Sequence, residues 1–497
     1  MKPFTKNPFL VSALVASLGL ISAGRVTAQT FTTLHRFTNV STNSFGAYTN
    51  SDGVGPSAGL ILSGNTLYGT AFQGGSSGLG TVFKVNKDGT GFTNLYSFSA
   101  ASFDDDGNYT NSDGTGPYAG LILSGNTLYG TAAFGGNGGN GTVFALNTNG
   151  TGFTNLHSFT ALDSATQSTN SDGANPFAGL ILSGNTLYGT AYYGGSSGSG
   201  TVFALNTNGS GFKTLHSFTT SVRPYYTNSD GAKPDAGLIL SGNTLYGTAQ
   251  EGGSSGGGTV FALNTNGSGF TVVFGFTNYL TTGDGPVAEL ILSGSTLYGT
   301  TEDGGSSGSG GTVFALNTNG SGFKILYNFT YGSDGERPQS GLVLSGNTLY
   351  GTTVEGGTND SGTMFAINTD GSAFTTLYRF TGDTNGASPE AGLILSGNTL
   401  YGTAPNAGAN FGSGVYGTLF SLTLPSPPQL AINRSAANVV LTWPTNAAGL
   451  TFTLQSTTNL VSPAGWNTVS PASAVVSGLN TVTNPITGTQ QFYRLSQ

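Results

Sequence analysis

The sequence predicts an all-β fold built from repeated four-stranded antiparallel sheets, and three observations lead to it. The stretch GLILSGNTLYGT, beginning at Gly59, recurs with few changes along the chain. Glycine supplies 82 of the 497 residues, as a fold with many turns requires, and only 7% of residues are charged. Aromatic and aliphatic residues are plentiful enough for a packed core, which argues against disorder. The chain is too long for one ordinary core, so a repeat array or several domains are expected.

The first 28 residues have the features of a secretory signal peptide. Lys2 and Lys6 precede an uncharged apolar run, and small residues lead to a predicted cleavage after Ala28. A buried N-terminal helix is the alternative, and the run is too short to span a membrane. Removing the segment takes away three basic residues and no acidic one, so the formal charge moves from −8 to −11. We therefore expect a protein that is secreted or held at the cell surface, without a transmembrane anchor or a nucleic-acid partner.

A tandem repeat follows and extends to residue 424. The tyrosine of LYGT recurs at spacings of 51 to 61 residues, at Tyr68, Tyr129, Tyr188, Tyr246, Tyr298, Tyr350 and Tyr401. Each unit holds four strand candidates, which in the third unit are GLILSG, NTLYGTA, GTVFALN and FKTLHSFT. Gly-Asn and Asn-Gly pairs between them suit hairpin turns. Apolar residues occupy both faces of the middle strands, so each sheet must be covered on both sides.

A strand count predicts how the repeat closes. The first three strand types occur seven times, whereas the fourth follows the third only six times. The missing copy is FTTLHRFT, from Phe31 to Thr38. We therefore predict that residues 29–424 form a seven-bladed β-propeller of four-stranded antiparallel blades closed by this N-terminal strand, because closure removes an exposed sheet edge. An open solenoid or a calcium-binding β-roll would leave the displaced strand unexplained.

The segments LILSGNTLYGT, GGTVFALNTNG and LHSFT resemble the GloVer tandem repeat of secreted bacterial choice-of-anchor proteins, from about Phe31 to Thr423. That resemblance implies an extracellular or surface location and no agreed biochemical activity. A wider similarity to kelch-like propellers concerns architecture alone, and a shared fold does not imply a shared function.

The composition changes at residues 425–429, a proline-rich linker. All 22 acidic residues precede it and both tryptophans follow it. Runs such as VVLTW, TFTLQST and QQFYRLS predict that residues 430–497 form a small fibronectin-like or Ig-like β-sandwich. No apolar helix with a basic tail follows, so we expect either a released protein or one that is sorted through this sandwich.

The sequence carries no recognised catalytic constellation. The chain has no cysteine, which excludes disulfides, thiol catalysis and copper-radical oxidase chemistry. His35, His157 and His216 share one position of the outer strand, which Tyr or Phe occupies in the other units. We interpret them as packing residues, because equivalent positions on different blades do not converge as a metal site or a catalytic triad requires.

The loops predict a binding surface, because the connections from strand two to three and from strand four to the next unit share one face of such a sheet. Exposed aromatic residues beside polar loops are typical of binding surfaces, and ordinary loop variation is the alternative. The residues predicted to contact a ligand are Phe72, Phe134, Tyr192, Tyr193, Tyr226, Glu251, Asp303 and Glu355. The early units are thus aromatic and the later ones acidic.

Calcium is the one cofactor that the sequence suggests. In FDDDGN, Asp104, Asp106 and Asn108 place oxygen atoms at alternate positions, but Thr115 stands where an EF-hand loop has glutamate. The recurring NSDGxxP, as at Asn170 to Pro176, predicts an Asx-type turn rather than a metal loop.

Three functions fit these observations. We favour a secreted, non-catalytic binding or adhesion module, acting as a monomer on an extracellular polysaccharide or a surface protein. A glycan-active enzyme could instead use Glu251 with Asp303 or Glu355 as a carboxylate pair. A structural envelope protein is the third possibility.

Overall fold

The computed structural model describes residues 29–38, 40–43, 48–104, 107–163, 165, 168–306, 308, 310–406, 416–425, 430–435, 437–444, 453–458, 466–470, 473–476, 479–485 and 491–496. The predicted signal peptide and all but the first residue of the predicted linker lie outside these ranges. The chain divides into two compact units, one of residues 31–422 and the other of residues 1–30 with 423–497. In the part of the chain that the structure describes, no helix is long and apolar enough to cross a membrane.

The repeat unit consists of short strands, and its single helical element among the described residues is a 3₁₀ turn at Thr358–Asp360. In chain order the strands are β1 (Thr30–Arg36), β2 (Ser41–Thr42), β3 (Tyr48–Thr49), β4 (Ile61–Ser63), β5 (Thr66–Ala71), β6 (Thr81–Asn86), β7 (Thr93–Ser97), β8 (Ser102–Phe103), β9 (Tyr109–Thr110), β10 (Ile122–Ser124), β11 (Thr127–Ala132), β12 (Thr142–Asn147), β13 (Thr154–Ser158), β14 (Ile181–Ser183), β15 (Thr186–Ala191), β16 (Thr201–Asn206), β17 (Lys213–Ser217), β18 (Ile239–Ser241), β19 (Thr244–Ala249), β20 (Thr259–Asn264), β21 (Thr271–Gly275), β22 (Ile291–Ser293), β23 (Thr296–Thr301), β24 (Thr312–Asn317), β25 (Lys324–Asn328), β26 (Val343–Ser345), β27 (Thr348–Thr353), β28 (Thr363–Asn368), β29 (Thr375–Arg379), β30 (Ile394–Ser396), β31 (Thr399–Ala404) and β32 (Thr418–Thr423).

Most of these strands form four-stranded antiparallel sheets, which confirms the predicted all-β class. The first to sixth sheets pair four consecutive strands each: β4 to β7, β10 to β13, β14 to β17, β18 to β21, β22 to β25 and β26 to β29. The seventh has the strand order β1-β32-β31-β30. Two small hairpins, β2 with β3 and β8 with β9, stand outside these sheets.

The first strand of each sheet is shorter than the motif GLILSG predicts. It keeps only three residues, as in Ile181–Ser183, because the residues before it contact the neighbouring sheet instead of their own. The threonine of LYGT makes that contact. Its hydroxyl donates a buried hydrogen bond to a main-chain carbonyl of the next sheet, in the pairs Thr70 to Ala119, Thr131 to Ala178, Thr190 to Ala236, Thr248 to Ala288, Thr300 to Ser340, Thr352 to Pro389 and Thr403 to Ala58. The last of these bonds joins the seventh sheet to the first.

The glycine of LYGT is required by the packing of the third strand. In the third sheet Gly189 lies opposite Phe203 in the antiparallel register. A Cβ atom on Gly189 would lie 2.6 Å from the ring of Phe203 and 2.8 Å from Leu180. The same ring covers the equivalent glycine in every repeat, so the motif preserves a space for one fully buried phenylalanine per sheet.

The core lies between adjacent sheets. Val143 and Phe159 of the second repeat pack with Leu187 and Phe203 of the third in one buried cluster. Such clusters cover both faces of the middle strands. The sequence predicts this, because apolar and polar residues do not alternate along those strands.

The second unit contains two sheets. Its strands are β33 (Ala431–Ser435), β34 (Asn438–Pro444), β35 (Thr453–Thr457), β36 (Asn467–Thr468), β37 (Ala474–Val476), β38 (Leu479–Pro485) and β39 (Phe492–Ser496). One sheet has the order β33-β34-β38-β37 and the other β36-β35-β39. Leu441, Trp443 and Val482 of the first sheet are buried together with Leu454 of the second. The fibronectin-like assignment stays a prediction.

Candidate functional site

The connections between strands two and three and those between strands four and one lie side by side, and we call this side of the repeat unit the loop face. In every repeat, one residue of each connection forms an antiparallel bridge, such as Ala174 with Tyr193 and Ala232 with Glu251. Five of the predicted site residues occupy the same bridge position in successive repeats: Phe134, Tyr193, Glu251, Asp303 and Glu355. A common main-chain frame therefore presents a different side chain from each repeat.

Six aromatic side chains of the first three repeats are in contact, and we call them the aromatic sector. Its members are Phe72, Tyr118, Phe134, Phe177, Tyr192 and Tyr193. The ring of Phe72 stacks on Tyr118 with centroids 4.6 Å apart, and Tyr118 meets Phe177 edge-on at 5.5 Å. Phe177 meets Tyr192 at 5.6 Å. The sector thus brings together four predicted residues with Tyr118 and Phe177, which the sequence analysis missed.

Part of the aromatic sector is open to solvent. Phe134 is 38% exposed and Tyr193 is 41% exposed. A groove of about 310 Å³ runs along the sector and is lined by Tyr48, Phe72, Tyr118 and Phe134, among other residues. Exposed rings that border a groove present apolar faces to which a flat ligand can stack.

Tyr226, also predicted as a site residue, lies elsewhere. Its ring is 40% exposed and faces the guanidinium of Arg223, which lies 5.5 Å from the ring centroid. No ring contact between described residues joins Tyr226 to the aromatic sector. The structure therefore does not bring it together with the other predicted aromatic residues.

A lysine joins the aromatic sector to the acidic repeats. The Nζ atom of Lys233 lies 5.8 Å from the ring centroid of Tyr192 and 5.9 Å from that of Tyr193. It also donates to Oε1 of Glu251 at 2.7 Å. Glu251 is thus one half of an ion pair that orients a cation over two aromatic faces.

The acidic repeats surround one arginine. Arg337 forms ion pairs with Glu302 and with Glu355, the latter at 3.3 Å, and Gln339 donates to Glu302 at 2.8 Å. Burial and the nearby Glu302 raise the pKa of Asp303. Glu251 and Glu355 each have a cationic partner, so of the three predicted carboxylates only Asp303 lacks an ion pair among the described residues.

A second cavity, of about 250 Å³, was missed by the sequence analysis. Each repeat contributes one lining residue, which follows the proline at the start of the repeat and precedes an alanine or serine. These residues are Ser57, Tyr118, Phe177, Asp235, Val287, Gln339 and Glu390. Glu289, which replaces the next glycine in the fifth repeat, lines it as well. We call this set the inner ring. Tyr118 and Phe177 belong to both the inner ring and the aromatic sector, so the cavity adjoins the loop face.

The carboxylates of the inner ring are harder to ionise than usual. Burial, with a smaller contribution from Glu302, raises the pKa of Asp235 to about 6. Burial raises the pKa of Glu390 to about 7. Burial by the surrounding protein raises the pKa of Glu289 to about 7 as well, although its side chain is exposed to the cavity that it lines. These acids can hold or release a proton near neutral pH.

A signal for the inner ring is present in the sequence. The motif preceding LILSG reads Pro, one variable residue, Ala or Ser, then Gly or Glu289. The residue after the proline varies most within this motif. Such variation indicates that the fold does not require a particular side chain at that position. Its variation from Ser57 to Tyr118 or Asp235 identifies a surface that differs in chemistry around the repeats.

The three histidines have structural partners, in agreement with their interpretation as packing residues. His157 stacks on Phe212 with centroids 3.8 Å apart, and its Nε2 lies 3.0 Å from Oδ2 of Asp172. His35 and His216 repeat the arrangement with Asp52 and Asp230.

The aspartate that pairs with each histidine belongs to the NSDG motif. In the third repeat, the Asn170 side chain of this motif accepts a hydrogen bond from Gly173 N at 2.9 Å. The motif forms the predicted turn.

The calcium site predicted in FDDDGN stays a prediction. Asp106 lies outside the described residues. Asp104 accepts a hydrogen bond from Asn108 N at 2.8 Å, and the side-chain amide of Asn108 donates to the same carboxylate. Within the described residues, this part of the motif is a hairpin turn between β8 and β9.

Comparison with known proteins gives one family and several distant structures. No curated protein sequence matches this chain. A 6-phosphogluconolactonase-like protein from Bacteroides uniformis is similar at 15% identity and a TM-score of 0.45, over 87% of this chain and 98% of that one. PorZ from Porphyromonas gingivalis is similar at 12% identity and a TM-score of 0.43, over 89% of this chain and 55% of PorZ. YCF48 from Cyanidioschyzon merolae is similar at 11% identity and a TM-score of 0.43, over 80% and 99% of the two chains. These TM-scores are low, so the similarities assign neither fold nor function.

The family model gives a clear result. The Gloeobacter/Verrucomicrobia repeat model matches residues 18–225, 107–310, 164–357 and 305–437. Together these overlapping matches span well over half of the chain and include every repeat of the LYGT motif. The chain therefore belongs to the Gloeobacter/Verrucomicrobia repeat family.

Proposed function

We propose that the repeat unit is a closed seven-bladed β-propeller whose loop face binds an extracellular polysaccharide, as a secreted or cell-surface, non-catalytic adhesion module. Closure is supported by the succession of threonine hydrogen bonds, the last of which runs from Thr403 to the carbonyl of Ala58 over 3.0 Å. It is also supported by a buried cluster in which Phe37, Leu67 and Phe83 pack with Tyr401 and Leu419 from the other end of the repeat unit. Secretion rests on the predicted signal peptide.

The aromatic sector is the observation that carries the binding proposal. A pyranose ring has one face of C–H groups, which packs against a flat aromatic ring, while its hydroxyls need polar neighbours. Phe134 and Tyr193 offer partly exposed rings. Lys233 supplies a polar group next to Tyr193, and Gln250 accepts a hydrogen bond from the Tyr192 hydroxyl at 2.8 Å. Several rings in a row favour an extended polymer over a small molecule, because each ring can stack on one residue of the polymer.

Hydrolysis by the loop carboxylates is the second candidate, but the ion pairs argue against the pairing predicted from sequence. Glu251 forms an ion pair with Lys233 and Glu355 forms one with Arg337, so each carboxylate already contacts a cationic side chain. Asp235 and Glu390 are better candidates, because their pKa values are raised to about 6 and about 7. An enzyme would therefore use the inner ring.

A polysaccharide array tests the proposal with the chain from residue 29 to residue 497, measuring binding and reducing-end release together, with and without calcium. We expect binding without release. Phe134→Ala and Tyr193→Ala should each weaken it by about 5- to 150-fold, as loss of a stacking anchor worth roughly 1–3 kcal/mol does. Phe103→Ala is the matched control, because that ring is 74% exposed but contacts only Tyr109 among the described aromatic residues.

The other outcomes separate the alternatives. Release of reducing ends that is lost in Glu390→Gln would establish a glycan-active enzyme. Equal binding by Phe134→Ala, Tyr193→Ala and the unaltered chain would refute the loop-face site. No binding and no release would favour a structural envelope protein or an adhesin for a surface protein.

A further inference from the structure

Three carboxylates meet on the loop face of the sixth repeat, outside the aromatic sector and the inner ring. They belong to Glu336, Glu355 and Asp360. One oxygen atom from each lies within 4.8 Å of the others. Such proximity of three acids costs electrostatic free energy unless a proton or a cation shares the site.

The main chain forces the first two acids together. Glu336 and Glu355 are bridge partners and exchange main-chain hydrogen bonds of 3.0 and 3.2 Å. Side chains that are directly opposite across an antiparallel pair point to the same side, and like charges there destabilise the pair. In the second repeat the same position pairs Thr115 with Phe134. The sixth repeat therefore has two acids where that repeat has none.

Asp360 completes the cluster at a position where the first five repeats have glycine. The residue five places after the bridge residue of the loop is Gly78, Gly139, Gly198, Gly256 or Gly308, each with positive φ. Asp360 keeps that conformation, with φ of 55°. A left-handed conformation is less favourable for a residue with a side chain than for glycine. The sixth repeat thus accepts a conformational cost and gains a carboxylate directed at Glu336 and Glu355.

A buried oxygen atom of Glu336 indicates that this cluster binds a ligand. Its side chain is within the cluster and only 4% of the residue is exposed. Its Oε2 atom is buried and has no hydrogen-bond partner among the described residues. A buried carboxylate oxygen without a partner is costly, whereas coordination to a cation would satisfy it.

Protein side chains do not supply that cation. Arg337 is the nearest basic residue, and its guanidinium is shared between Glu302 and Glu355. No ion pair in the described part of the chain involves Glu336 or Asp360. The cluster keeps a net negative charge after Arg337 is counted.

We propose that Glu336, Glu355 and Asp360 bind a calcium ion. Carboxylate oxygens are hard ligands, which suit Ca²⁺ and Mg²⁺ and not the metals that prefer thiolate or imidazole. Three carboxylates can provide up to six oxygens at the variable distances that Ca²⁺ accepts, whereas Mg²⁺ requires a nearly ideal octahedron. The site would tie the loop of residues 355–360 to the strand connection that carries Glu336. It is distinct from the motif at Asp104.

Calorimetric titration of residues 29–497 with CaCl₂ and with MgCl₂ tests the site. We expect one Ca²⁺ bound with a dissociation constant of about 10⁻⁴ to 10⁻³ M, the range of extracellular calcium modules, and weaker Mg²⁺ binding. Asp360→Gly introduces the residue found in the first five repeats and should fold, yet weaken Ca²⁺ binding by roughly 10–100-fold. Glu336→Gln should have the same effect.

Asp370→Asn is the control, because Asp370 is an exposed acid in a hairpin where the second to fifth repeats have asparagine. It should bind Ca²⁺ as the unaltered chain does, and so should Asp104→Asn. The proposal is overturned if no heat is detected up to about 10 mM Ca²⁺, beyond the millimolar limit of such sites. It is equally overturned if Asp360→Gly binds normally, or if only Asp104→Asn loses the ion.

Discussion

The hydrogen bond from Thr403 to Ala58 allows a direct test of closure. Thr403 is 1% exposed and Ala58 is 3% exposed, and the bond measures 3.0 Å. Thr403→Val keeps the shape of the side chain but leaves the carbonyl of Ala58 without this donor. A buried acceptor that loses its partner costs about 1–3 kcal/mol, so the free energy of unfolding of the repeat unit should fall by that amount.

Thr131→Val provides the matched comparison within the chain. Its bond to Ala178 measures 3.1 Å, and both residues are buried to a similar degree. If the seventh sheet meets the first as the second meets the third, the two substitutions should cost the same within about 0.5 kcal/mol. Only the closing bond depends on the two ends of the repeat unit meeting.

Urea unfolding followed by far-UV circular dichroism measures the two costs. Both tryptophans, Trp443 and Trp466, belong to the second unit, so their fluorescence reports separately on that unit and should not change. A full cost for Thr131→Val with a negligible cost for Thr403→Val would refute closure in solution. Equal costs would support a ring of seven equivalent junctions.

Three further predictions concern packing and protonation. Gly189→Ala should lower the free energy of unfolding by about 1–3 kcal/mol, because the added methyl group would overlap the ring of Phe203. Gly275→Ala is the control and should leave that free energy unchanged, because a methyl group there would meet no atom within 4 Å. Equal urea midpoints for the two variants would contradict the packing argument. Burial raises the pKa of Asp230, but hydrogen bonds from His216 and Thr219 more than offset this effect, so the pKa in the folded state is lowered. The ionised Asp230 therefore stabilises the fold above pH 3.8, and this stabilisation is lost as pH falls through the folded-state pKa. Acid titration of Asp230→Asn should therefore show a shallower loss of stability below pH 3.8 than the unaltered chain. Burial raises the folded-state pKa of Glu390 to about 7 from an ordinary 4.5, so the free energy of unfolding should fall as pH rises between these values. Glu390→Gln should therefore raise the melting temperature at about pH 8 and change it little at about pH 4. An equal change at both pH values would show that the carboxylate is solvated.

The strands could be predicted because their signals are local. Hairpin turns, the glycine opposite Phe203 and the asparagine turn at Asn170 each depend on residues within one repeat. The repeat also predicts the loops that carry Phe134, Tyr193, Glu251, Asp303 and Glu355, and the structure shows that these five residues share one bridge position. Periodicity therefore predicts which loops are equivalent.

Side-chain partners on different connections of the loop face could not be predicted. The pairing of Glu251 with Lys233 and of Glu355 with Arg337 depends on how far each side chain reaches from its own connection. The inner ring was missed for a different reason. Its variable position lies inside a motif that looked purely structural, and only the approach of seven chain segments makes Asp235 and Glu390 neighbours of one cavity.

The strand order of the seventh sheet has a kinetic consequence. About 380 residues separate Arg36 of β1 from Thr418 of β32. At about 5–20 residues per second, synthesis of that interval takes roughly 20 to 75 s, during which β1 has no partner strand and the other sheets can already form. Once β32 is made, its free edge accepts any copy of β1, including that of a second chain. Concentrated refolding should thus favour exchanged dimers, in which each molecule supplies the first strand of the other.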